Sequence, residues 1–187
     1  MQPNALAFIA LSNEFCSALE QLATGGAVGS RPDFVASMLN YLPRLYISAT
    51  DLRSLPSVAD TDSWTDEMSS PMFEEYAIDN LLDEDYYEAV RRAIEDVMGE
   101  DDVYLEVFEE DMKYSDTPVS ASVAEGLADM FQYLYNFVET VRDAPSDRVN
   151  GALSAAKEEF EHYWSRIDCN LMRALNHIRY NASADDM

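Results

Sequence analysis

Apolar residues recur every three to four positions through most of this chain, the period of helices that each bury one face. Residues 4–24 place Phe8, Leu11, Phe15, Leu19 and Leu22 on one stripe and stop at Gly25-Gly26, which predicts a first helix. A second opens at Ser30-x-x-Asp33 with Pro32 in its first turn, and its stripe is Val35, Met38, Leu42, Leu45, Ala49 and Leu52. Pro43 falls in its middle. Proline removes a backbone bond and crowds the carbonyl four residues back, so a kink is expected near residues 39–43. Asp83 caps a third helix with Tyr87, Val90, Ile94 and Val97 on its apolar face and Gly99 at its end, and residues 74–81 read as a short helix ahead of it.

A fourth helix carries Val123, Leu127, Met130, Leu134, Phe137 and Val141, a stripe widened by Phe131 and Val138. Its start is marked twice: by Thr117 before Pro118, and one turn later by the capping box Ser122-x-x-Glu125. Pro145 begins a last helix running to about Tyr180, with Val149, Leu153, Ala156, Phe160, Tyr163, Ile167, Leu171, Leu175 and Ile178 as its stripe. At 1.5 Å per residue it spans roughly 50 Å and is the longest strut. Residues 181–187 read as a frayed tail.

Two stretches lack this period. Residues 54–72 are rich in Ser, Asp, Thr and Pro, and read as a long acidic surface loop that Trp64 pins to the bundle or offers to a partner. Residues 99–117 form an acidic and aromatic connection in which Val103, Leu105 and Val107 alternate with Tyr104, Glu106 and Phe108. That is the period of an extended, half-buried segment. With no second strand evident, an extended crossing or a helical turn is expected rather than a sheet. The whole is an all-α, single-domain bundle of about five main helices over residues 1–180.

The run GEDDVYLEVFEEDMKYSDTPVSASVAEGLADMFQYLYNFV, with DEDYYEAVRRAIEDVMG before it and FEHYWSRI after it, resembles a bacterial family known as a domain of unknown function, numbered 5063. The resemblance spans roughly Phe8 to Ile178, and the Tyr104 to Thr117 run is its most specific part. It implies an all-helical, soluble bacterial protein. It implies no activity, so it supplies no catalytic residue.

Charge sharpens the picture. The chain of 187 residues carries a net −24, and residues 51–116 hold 22 acids against 4 bases, leaving −18 there and −6 elsewhere. Such a field repels nucleic-acid phosphates and anionic membranes and favours basic or amphipathic protein partners. No apolar run approaches the length of a membrane span and no leader pattern opens the chain, so the cytoplasm is the expected compartment. Cys16 and Cys169 lie in helical patterns without metal or redox spacing and are expected to be buried thiols, with a disulfide requiring an oxidising compartment.

Chemistry-bearing motifs are sparse. Asp60-x-Asp62 with Asp66 fails as a calcium loop, because Thr65 stands where glycine is required and Pro71 where the bidentate glutamate belongs. Glu159-x-x-His162 is half of a di-iron helix motif, but Ala174 occupies the matching place before His177, and helical geometry turns His162 toward solvent. No metal or other cofactor is expected. The candidate surface is Tyr104, Glu106, Glu109, Glu110, Asp111, Lys113, Tyr114 and Asp116, with Trp64. It reads first as the contact face of a non-enzymatic protein-interaction module. The competing reading is a small-ligand or divalent-cation-binding protein or enzyme, using Glu106, Asp111, Lys113 and Tyr114 in a cleft. A third has the helix faces building a homo-oligomer.

Overall fold

The computed structural model describes residues 4–26, 29–52, 78–106 and 119–181. Five main helices emerge among them. They are α1 (Ala5–Ala23), α2 (Arg31–Thr50), α3 (Glu84–Met98), α4 (Val123–Val141) and α5, which runs through three consecutive parts, Ser146–Glu159, Phe160–Trp164 and Ser165–Asn181. α4 is the hub. It packs against α1, α3 and both long parts of α5, while α2 lies along the C-terminal part of α5. Phe8, Phe15, Phe131 and Phe137 are fully enclosed at the centre, with Phe8 and Phe137 5.2 Å apart between ring centroids.

The helix starts follow from their capping side chains. Ser30 and Asp33 form a reciprocal capping box at α2, and the Asp83 side chain accepts from the Tyr86 amide at 2.7 Å. Of the two marks for α4 the second prevails: Ser122 accepts from the Glu125 amide at 3.0 Å, and the helix begins at Val123. Thr117 and Pro118 lie outside the described residues. α2 continues unbroken across Pro43, whose missing N–H leaves the Leu39 carbonyl without its usual helical donor.

Three expectations are corrected. The segment Val103–Leu105 (β1) does have a partner: it pairs antiparallel with Ser120–Ser122 (β2), Tyr104 opposite Ala121. Ser-Ala-Ser has no apolar alternation, so its strand character comes from the pairing itself. Of the short helix expected over residues 74–81, residues 78–81 are not helical and are held on α4 by hydrogen bonds to its side chains, while 74–77 lie outside the described residues. Finally, Tyr163 is exposed and Trp164 is buried, because the residues Phe160–Trp164 adopt a π-helical turn in which the Ser165 amide donates to Phe160 O five residues back. Trp164 thereby packs edge-on against Phe160 at 4.7 Å.

Asn136 anchors the approach to α3. Its Oδ1 accepts from the amides of Leu81 and Leu82, each at 2.9 Å, and its amide donates to Asn80. Thr140, one turn on, accepts from the Asp79 amide at 3.0 Å. Asn136→Ala strands two backbone donors and is expected to destabilise the fold by about 2–3 kcal/mol, read as a melting temperature lower by roughly 5–10 °C. An unchanged melt would show that water replaces the amide at no cost.

Candidate functional site

The candidate region is built where α3 ends. Gly99 takes φ +58°, a conformation side chains rarely adopt, and the chain leaves the helix through a 3-10 turn, Gly99–Asp102. Asp102 folds inward, 7% exposed, and accepts from the Ala124 amide at 2.7 Å. It is thus a second cap on α4, locking the acidic turn to the hub helix. Arg31 of α2 closes the other side, pairing with Asp101 at 2.7 Å and donating to Met98 O at 3.2 Å.

In β1 the alternation is real, and its polar phase faces the fold. Tyr104 is half-buried, its hydroxyl pushed up to about 12 first by burial and then by Glu106 nearby. Glu106 accepts from the Asn170 side chain at 2.8 Å, and Arg173 donates to Leu105 O, so α5 holds the strand in place. Val103, Leu105 and Val119 stand outward at 66%, 56% and 40% exposure. The result is a small apolar face on the hairpin, set beside the exposed Glu100 and the half-exposed Asp101.

Of the residues singled out from the sequence, Tyr104 and Glu106 therefore anchor the hairpin. Glu109, Glu110, Asp111, Lys113, Tyr114, Asp116 and Trp64 lie outside the described residues. His162 is exposed, its Nδ1 2.8 Å from Glu158 O, as the helical geometry required. Among the described residues no three His, Cys, Asp or Glu side chains converge as a metal-holding group. Cys16 is buried, and burial pushes its thiol up; Cys169 is exposed, against expectation, and the two are free thiols. A shallow, open groove of about 450 Å³ runs between α2 and α5, lined by Leu39, Pro43, Met172, Arg173, Asn176 and Tyr180; no carboxylate lines it.

One group escaped the sequence reading. Asp168 is 0% exposed, and neither carboxyl oxygen has a hydrogen-bond partner. Burial alone pushes it up to about 8, so at neutral pH it is mainly a neutral acid. The stripe drawn through Tyr163 and Ile167 passed beside it. The signal was Trp164 four residues earlier and Leu171 three later, which place Asp168 in line once the π turn is known. A second polar cluster lies on α4 and α5, where Tyr133 and Tyr163 stack at 6.1 Å, and burial raises both Tyr133 and the adjacent Glu159.

The comparisons agree with this architecture. Protein BF1032 from Bacteroides fragilis, a crystal structure, superposes with a TM-score of 0.73 over 96% of this chain and 94% of its own, at 24% identity, a likeness of fold alone. No curated protein matches. No helix among the described residues is long and apolar enough to cross a membrane. The family model described as "Domain of unknown function (DUF5063)" matches residues 1–181, and the chain belongs to that family.

Proposed function

We propose that this protein is a non-enzymatic interaction module, and that the hairpin end of the bundle receives a basic segment of a partner protein that also carries apolar side chains. The observation supporting this is the outward placement of Val103, Leu105 and Val119 beside Glu100 and Asp101, at the end of the third of the chain, residues 51–116, that carries −18. Apolar side chains supply contact area at such a face, while a one-signed acidic field selects and steers a cationic partner. The hairpin is rigid enough to present them. It is tied to α4 by Asp102 and to α5 by Asn170 and Arg173, so binding need not order it first. Glu106 accepts the Asn170 amide, which favours a structural use of this carboxylate.

The test is capture from lysate by immobilised wild type, by Val103→Ser/Leu105→Ser and by Glu100→Lys/Asp101→Lys, with Leu6→Ser as an exposed apolar control on another helix. A genuine partner is weakened roughly tenfold or more by either hairpin variant. It is also weakened by salt, is untouched by Leu6→Ser, and binds through a segment containing Lys or Arg with apolar residues. Capture that survives both hairpin variants overturns the proposal.

A further inference from the structure

Asp168 has a second consequence, independent of what the hairpin binds. It lies on the C-terminal part of α5, which packs along α2 in antiparallel register: Arg179 reaches Pro32 O at 3.3 Å, Met172 and Asn176 share the groove with Leu39 and Pro43, and Lys157 reaches Thr50 O at 2.9 Å. On that part of α5 the Asp168 carboxyl is 0% exposed, one residue from Cys169, whose thiol is bonded by Tyr46 of α2, and both its oxygens are unpartnered, an arrangement that a neutral acid tolerates and a carboxylate does not. Among the described residues no charged group offsets it. From α2, Tyr46 bonds the thiol of Cys169 rather than Asp168, and Cys169 is the titratable group that feels the Asp168 charge. Among the described residues, no charge of α2, α4 or the π-helical turn contributes to the shift of Asp168.

We propose that Asp168 is a proton-controlled latch: as a neutral acid it lets the C-terminal part of α5 lie on α2, and its ionisation releases that part from α2 and from the hairpin. The bonds that would part together are Arg179 to Pro32 O, Asn170 to Glu106 and Arg173 to Leu105 O. An ionised Asp168 regains hydration only if the packing around this part of α5 opens, so the opening is coupled to loss of one proton.

Hydrogen exchange of the full chain from pH 6 to 9, corrected for the pH dependence of exchange itself, tests this. In the wild type, protection across residues 165–180 and 36–46 falls by up to about tenfold per pH unit from pH 6 to the carboxyl's folded midpoint of about 8, levels off above it, and lies below that of α3 at every pH. In Asp168→Leu and Asp168→Asn, protection of the same segments is flat with pH. Should neither variant fold, the carboxyl ¹³C shift of Asp168 in the wild type reads its ionisation directly: titration well above the ordinary carboxylate range supports the latch. Flat wild-type protection overturns it, as does ionisation by pH 6, protection of these segments no lower than that of α3, or an unchanged pH dependence in both variants.

Discussion

Asp168→Leu is expected to stabilise the protein at neutral pH, by up to about 4 kcal/mol, and to do nothing of the kind at pH 4. The reasoning starts from burial. In the unfolded chain this carboxyl titrates near 4, whereas in the fold it is enclosed without a partner and pushed up to about 8. A carboxyl raised on folding contributes its full stability below the unfolded value and loses it as pH rises toward the folded one. Stability therefore declines between about pH 4 and 8, by up to about 1.4 kcal/mol per unit. This is opposite in sign to ordinary acid denaturation, where native carboxylates are held low. The leucine variant has no proton to lose, and its side chain suits the apolar surroundings formed with Trp164 and Leu171. Asp168→Asn removes the same pH dependence but leaves a polar amide in the same place, and gains less. Urea unfolding of the three proteins at pH 4, 6 and 8 measures the difference, and the comparison cancels the general repulsion of the −24 charge. Parallel profiles for wild type and variants would mean that Asp168 is hydrated in solution.

Lys157→Ala is expected to cost about 3 kcal/mol, and Lys157→Met about half of that. Lys157 is 9% exposed, yet its ammonium is well partnered. It donates to Thr50 O at 2.9 Å and Ala49 O at 3.3 Å, pairs with Glu161 at 3.3 Å, and lies 5.5 Å from the Phe160 ring centroid. The two carbonyls end α2, where the helix dipole is negative and where no basic residue occupies the last turn. α2 is thus capped from α5, more than a hundred residues away in sequence. Alanine removes both the charge and the aliphatic stem packed beside Phe160; methionine keeps most of the stem. Thermal unfolding of both variants separates the two contributions. Equal losses would assign the whole effect to the charge, and no loss would mean that solvent caps α2 equally well.

Both predictions concern groups that one-dimensional patterning handles poorly. The apolar stripes of α1 to α4 were legible because each depends on residues three or four apart, and the caps at Ser30, Asp83 and Ser122 were legible because a cap acts within its own first turn. Gly99 was legible as a stop for the same reason, its positive φ being a local demand. The candidate surface was legible only as composition. An alternating segment does not announce which phase faces inward, and in β1 that was decided by Asn170 and Arg173 of α5.

The sequence by itself determined the helical class, the boundaries of most helices and the concentration of charge in residues 51–116, since each is a property of neighbours along the chain. The tertiary structure decided everything that depends on a distant partner. It paired Val103–Leu105 with Ser120–Ser122, turned Tyr104 inward and the valines and leucine of the hairpin outward, and closed α2 with Lys157. It also set the π turn that packs Trp164 on Phe160 and carries Asp168 into the core. A period of 3.6 fixes the face a residue shares with its neighbours, whereas the rotation of that face against another helix is set by packing. One extra residue in a single turn shifted the buried face along α5, so that the stripe drawn through Tyr163 and Ile167 passed beside Asp168.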